Sequence, residues 1–180
     1  VKKVVIAGVG NVLLGDDGVG PYVAHMLEHR YRFEEGVTVF DLGTPGLDLV
    51  AHLSDIDALI VVDSVANDKP PGSITHYRRA DILRHGPAPV RMDPHSPSLS
   101  ESLLIADFTG EGPSDVLLIG ISGADYEPGT LLTDKVRKAA LTAVNDVLAE
   151  LERLNLRYWQ SLETDQPPAW WEPAANPRPA

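Results

Sequence analysis

At 180 residues, 43% of them hydrophobic and 23% charged, the chain is long enough for one domain with its own core and needs no disulfide or structural metal to hold it. It contains no cysteine, which removes disulfides, thiolate nucleophiles and cysteine-ligated zinc or iron–sulfur centres. A net charge of -11 repels polyphosphate, so nucleic acid is not an expected partner, whereas a cation or a basic peptide is.

Lys3-Val4-Val5-Ile6-Ala7-Gly8 is a continuous apolar run ending in glycine, the pattern of a strand buried on both faces of a parallel sheet. No basic region or cleavage signature precedes it, and no apolar run approaches the roughly 18–20 residues of a membrane span. Neither export nor a membrane is expected, and the location implied is cytoplasmic. A loop over 8–20 follows, then Pro21 and helically spaced apolar residues that predict a helix over about 19–31. Strands are predicted over 37–41 and 58–63, with a glycine-rich turn at 43–46 and a short helix over 47–53 between them. Residues 72–77 alternate polar and apolar, as an edge strand does, and 81–85 suit one helical turn.

After a proline-bearing loop over 86–97, a helix is predicted over 99–108 and a fifth strand over 116–121. A long helix over 132–154 carries apolar residues at positions 136, 140, 144, 147, 148, 151 and 154. Strand and helix alternate throughout. The fold class is therefore α/β, a three-layer α/β/α sandwich around a five-stranded, mostly parallel sheet. A single domain spans 1–157, and the proline-rich segment 158–180 is expected to be a flexible tail from which Trp170 and Trp171 could dock elsewhere.

The loop Gly8-Val9-Gly10-Asn11-Val12-Leu13 follows a strand, where G-x-G-x-x-G would cradle a dinucleotide, and Asp41 at a later strand end suits a ribose-binding acid. Leu13 stands where the third glycine belongs, however, and Asp16 and Asp17 oppose an anion at the start of the helix. The same acids occupy the Lys and Ser/Thr positions of a P-loop, inverting its charge. Such a loop suits a cation or a proton. One of the two aspartates is expected to cap the helix, leaving the other for chemistry. Asp63 ends the third predicted strand and so lies on the same rim, while His95 sits in a polar loop. His25 and His29 stand four apart but lack the H-E-x-x-H arrangement of zinc proteases and suit a polar helix face, His76 and His85 have no partner at ligand spacing, and Ser64 has no G-x-S-x-G elbow.

Taken in order, G-x-G-N-x-L-x-G-D-D-G-x-G over 8–20, Asp41-Leu42-Gly43-Thr44-Pro45-Gly46, Val61-Val62-Asp63-Ser64, Pro94-His95 and the stretch from Gly120 to Leu132 resemble the hydrogenase maturation endopeptidases. The resemblance covers about residues 3–155 and implies a phosphorylase/hydrolase-like α/β fold. It further implies an endopeptidase that removes the C-terminal extension of a nickel-iron hydrogenase large-subunit precursor after nickel insertion. Asp17, Asp63 and His95 then form the metal-binding and catalytic set. Asp17 stands where many members carry Glu, Ser96-Pro97-Ser98 replaces a Leu-Gly-Leu run after the histidine, and Ser122-Gly123-Ala124 replaces a Pro-Glu. The nickel is carried by the substrate, although two carboxylates and an imidazole also suit zinc and similar ions. Asp41, Gly43 and Thr44 either line a substrate groove or form a plain strand-to-helix turn. Carboxylates sharing a proton, as in aspartic proteases, are the competing mechanism. The competing function is a dinucleotide-binding module; the oligomeric state is not read from the sequence, and a monomer is one state compatible with it.

Overall fold

The structure, a computed structural model, describes residues 1–46, 48–85, 88–89, 98–162 and 169–172. Strand β1 (Val4–Val9) leads through a 3-10 turn (Gly15–Gly18) into helix α1 (Val19–Arg30) and the short strand β2 (Tyr31–Phe33). Then come β3 (Val37–Gly43), α2 (Asp48–His52), β4 (Ala58–Ala66), β5 (Ile74–Arg78), α3 (Arg79–His85) and the two-residue β6 (Ala88–Pro89). The chain continues with α4 (Leu99–Thr109), β7 (Asp115–Ser122), α5 (Asp134–Arg153) and β8 (Tyr158–Gln160).

The main sheet runs β3-β1-β4-β7-β5, with β6 pairing antiparallel to the end of β4. The first four strands are parallel, and β5 lies antiparallel on the β7 edge. The expected α/β sandwich with a five-stranded, mostly parallel sheet is thus observed, and β6 is an addition too short to leave a periodic signal.

Alternation along the strands sends one set of side chains to each face. Val4, Ile6, Ile60, Val62 and Ile119 meet α1 and α5 in one core; Val5, Ala7, Leu59, Val61 and Leu118 meet Leu53, Ile82, Leu103 and Ala106 of the other helical layer. All seven apolar positions singled out on the long helix are buried. Its stripe is what fixes that helix on the sheet.

The C-terminal region departs from the expectation of a tail beginning at 158. Tyr158–Gln160 pairs antiparallel with Tyr31–Phe33, and Tyr158 packs edge-on against Tyr31. Further on, Ala169 and Trp171 are buried, and Glu172 reaches Arg137 of α5. Aromatic burial, not periodicity, holds this segment, so the helix and strand patterns do not reveal it.

Candidate functional site

The parallel register places Gly8 beside Val62 and Asp63 beside Gly120; β4 runs on to Ala66, past the end expected at Asp63, so Asp63 lies in the last half of the strand, toward the carboxyl rim where the loops after β1 and β7 meet. Open α/β sheets bind ligands on that rim. Gly10 has φ +140°, and a Cβ there would lie 1.8 Å from the Asp17 carbonyl oxygen. The space a pyrophosphate would need at this turn is filled by the chain itself. Asp41 does not point to a ribose site either, because its carboxylate accepts the N–H of Gly43 at 2.9 Å and so closes its own turn.

The two adjacent acids have separate tasks. Asp16 is fully buried, and its carboxylate accepts from the N–H groups of Ala124 (2.8 Å), Asp125 (3.2 Å) and Thr133 (2.7 Å) and from the Thr133 hydroxyl (2.9 Å). Backbone bonds from Gly15 to the Gly129 carbonyl and from Gly129 to the Leu13 carbonyl, each 2.9 Å, strengthen the same seam. Asp16 therefore ties the first loop to the loop after β7. The expectation that an aspartate caps α1 is not met: Gly18 holds the N-cap position without a side-chain bond, because the 3-10 turn carries both acids before the helix begins.

Asp17 is buried, and its carboxylate accepts the Asn11 N–H at 3.0 Å, closing the loop across its base. Asp63, half-buried, is its electrostatic neighbour. Burial holds the Asp63 carboxyl well above the usual carboxylate range, the charge of Asp17 raises it further, and the Ser64 N–H bond opposes both. A pair of this kind favours one shared proton or an incoming cation.

Around the pair, buried Ser64 shares a 3.0 Å hydrogen bond with the Tyr126 hydroxyl, which also accepts the Gly123 N–H at 3.1 Å. The Ser122 hydroxyl donates to the Asn67 amide oxygen at 2.7 Å, and the buried Asn67 amide nitrogen has no acceptor among the described residues. Tyr126, Asn67 and Thr133 carried no signal in the sequence, since their partners lie far along the chain. The turn holding Gly43 and Thr44 reaches the site through its backbone: the Gly10 N–H donates to the Gly43 carbonyl at 2.8 Å, and Thr44 is exposed.

His95, with the rest of 90–97, lies outside the described residues. Among the described residues no group of three or more His, Asp or Glu side chains is placed to hold a metal, so this part of the rim supplies two carboxylates. His29 bonds to the His25 carbonyl at 2.8 Å and His76 pairs with Asp146 at 2.9 Å, as expected of histidines on polar surfaces.

The sequence matches the hydrogenase maturation protease family, HycI, over residues 21–150. The chain belongs to this family. It is similar to the hydrogenase 2 maturation protease of Escherichia coli, at 32% identity over 154 residues covering 83% of this chain and 90% of the relative. It is also similar to the hydrogenase expression/formation protein HupM of Azotobacter chroococcum, at 37% identity over 150 residues covering 83% and 71%. Among solved structures, the hydrogenase maturating endopeptidase HybD of E. coli superposes with a TM-score of 0.79 at 29% identity, over 90% of this chain and 99% of that one. This hydrogenase maturation protease is accordingly an endopeptidase, a hydrolase acting in hydrogenase maturation. Among the described residues, no helix is long and apolar enough to cross a membrane.

Proposed function

We propose that this endopeptidase removes the C-terminal extension of a nickel-iron hydrogenase large-subunit precursor after nickel insertion, in the cytoplasm, and reads the inserted metal with Asp17, Asp63 and His95. The observation that carries the proposal is the meeting of Asp17 and Asp63 on one rim, where burial and then the charge of Asp17 raise the cost of ionising Asp63. Two carboxylates in this position gain most from a divalent cation, which favours their charged forms, and a nickel ion held by the substrate would supply it. His95 would add a nitrogen donor.

Once the precursor is seated, the carboxylate less needed by the metal would serve as general base for the attacking water, and the metal would polarise the scissile region. Asp41, Gly43 and Thr44 would guide the peptide past the loop that Gly10 anchors. The raised Asp63 carboxyl also favours a second reading, a metal-independent dyad in which Asp63 holds the proton and Asp17 the charge.

The test compares cleavage of nickel-loaded and nickel-free precursor by the parent, Asp63→Asn and His95→Ala, with products read by mass spectrometry. Loaded precursor alone should be cut, and both variants should lose at least about a hundredfold in rate, the scale of a lost acid–base group. Equal cleavage of nickel-free precursor would replace the sensor by the dyad. Unchanged processing in both variants would remove these residues from the site.

A further inference from the structure

Helix α4 starts one residue after the 90–97 segment, and its first turn is held by a reciprocal capping box. Glu101 donates its N–H to the Ser98 hydroxyl, and its carboxylate accepts the Ser98 N–H at 2.8 Å. Its inner face is satisfied by Leu103 and Ala106 in the core. Its outer face is not polar: Leu104, Ile105 and Phe108 are 56%, 43% and 94% exposed. Spaced one, three and four residues apart, they form one contiguous apolar stripe. Burying it removes apolar surface from water, so a chain gains nothing by displaying it without an occupant.

The rim of the stripe indicates what kind of occupant it fits. Glu101 precedes Leu104 and Ile105 by one helical turn on the same face, and its carboxylate bonds to the Ser98 hydroxyl and, among the described residues, to no cation. Asp107 is neutralised by Arg79. The rim is therefore acidic, on a chain of net charge -11. A second copy would bring the same acids to the contact, and an anionic bilayer would repel them.

We infer that the Leu104-Ile105-Phe108 face of α4 docks the body of the protein substrate, through an apolar patch on the precursor ringed by Lys and Arg, outside the cleft where the peptide is cut. The inference rests on the proposed function for the identity of that partner, and it gives the enzyme a means of selecting a folded protein over a free peptide.

The experiment uses the full chain and nickel-loaded precursor, with affinity and cleavage measured separately. Leu104→Gln/Phe108→Ser, changed only at exposed positions, should melt like the parent, raise Kd and KM together by about tenfold or more, and keep kcat at saturation. Phe108→Lys should weaken binding more than Phe108→Asp, because the partner's rim is basic. An unchanged Kd in the double variant, or equal effects of Lys and Asp, overturns the inference. So does a parent dimer in sedimentation that the double variant abolishes, or α4-dependent binding to phosphatidylglycerol vesicles. A parent that binds precursor but does not cut it defeats the proposed function and leaves α4 to be judged on Kd. A parent that does neither defeats both.

Discussion

Neighbouring aspartates show how little a residue's identity says about its task. Asp16 and Asp17 have the same chemistry and adjacent positions, yet the first spends its carboxylate on four donors of a distant loop while the second closes its own loop on the Asn11 N–H and acts through its charge on Asp63. The motif marks an acidic, cation-seeking loop, and the strand-end pattern places Asp63 on the same rim. Neither separates the two aspartates, since the partners of Asp16 lie 108 to 117 positions along the chain. The separation predicts different variants. In Asp16→Asn the side-chain amide must turn its NH2 toward at least one backbone N–H, leaving a buried donor unsatisfied and removing a charge-assisted bond. A loss of about 3 kcal/mol follows, lowering Tm by roughly 6–12 °C for a chain of this size. Calorimetry within a degree of the parent would show that Asp16 is not the tie between the loops.

At the level of elements, the long helix is legible because its apolar residues form one stripe, and all of those positions are buried. Helix α4 is legible as a helix but not in orientation, because apolar residues fall on both its inner and outer faces. Strands β2 and β8 escape prediction, being three residues each and paired across most of the chain. Helix α1 contains a further case in which local preference and packing disagree. Gly20 lies in its first turn, where alanine would be favoured by about 1 kcal/mol on helix propensity. A Cβ at Gly20 would meet the Val9 carbonyl oxygen at 2.2 Å and the Val62 carbonyl oxygen at 2.4 Å, both backbone atoms of the sheet. Steric overlap wins, because the whole helix would have to lift from β1 and β4. Gly20→Ala should be destabilised by about 2–3 kcal/mol net, read as a lower urea midpoint at unchanged m. An equal or higher midpoint would mean that α1 is not seated as closely as the site requires.

Across the whole molecule, the sheet is anchored at its antiparallel edge by a charge cluster that spans three elements. Arg78 of β5 and Arg153 of α5 both bond to buried Glu150, and Arg153 also reaches Asp115 of β7. Burial alone would push the Glu150 carboxyl up, but the hydrogen bonds and charges of Arg78 and Arg153 outweigh it and bring it to about 2 from an ordinary 4.5. Because the folded value is the lower one, the stabilisation is present in full above about pH 4.5 and disappears as pH falls through about 2. Both arginines are nearly half exposed, at 46% and 45% of their side chains, so solvent screening reduces the contribution to about 1–2 kcal/mol. Glu150→Gln should therefore be less stable than the parent by that amount at pH 7, with the gap closing between pH 4.5 and 2, as followed by urea denaturation across that range. A gap that stayed constant to pH 2 would assign the loss to packing of the amide instead, and the edge strand would then be held by β7 pairing without help from the cluster.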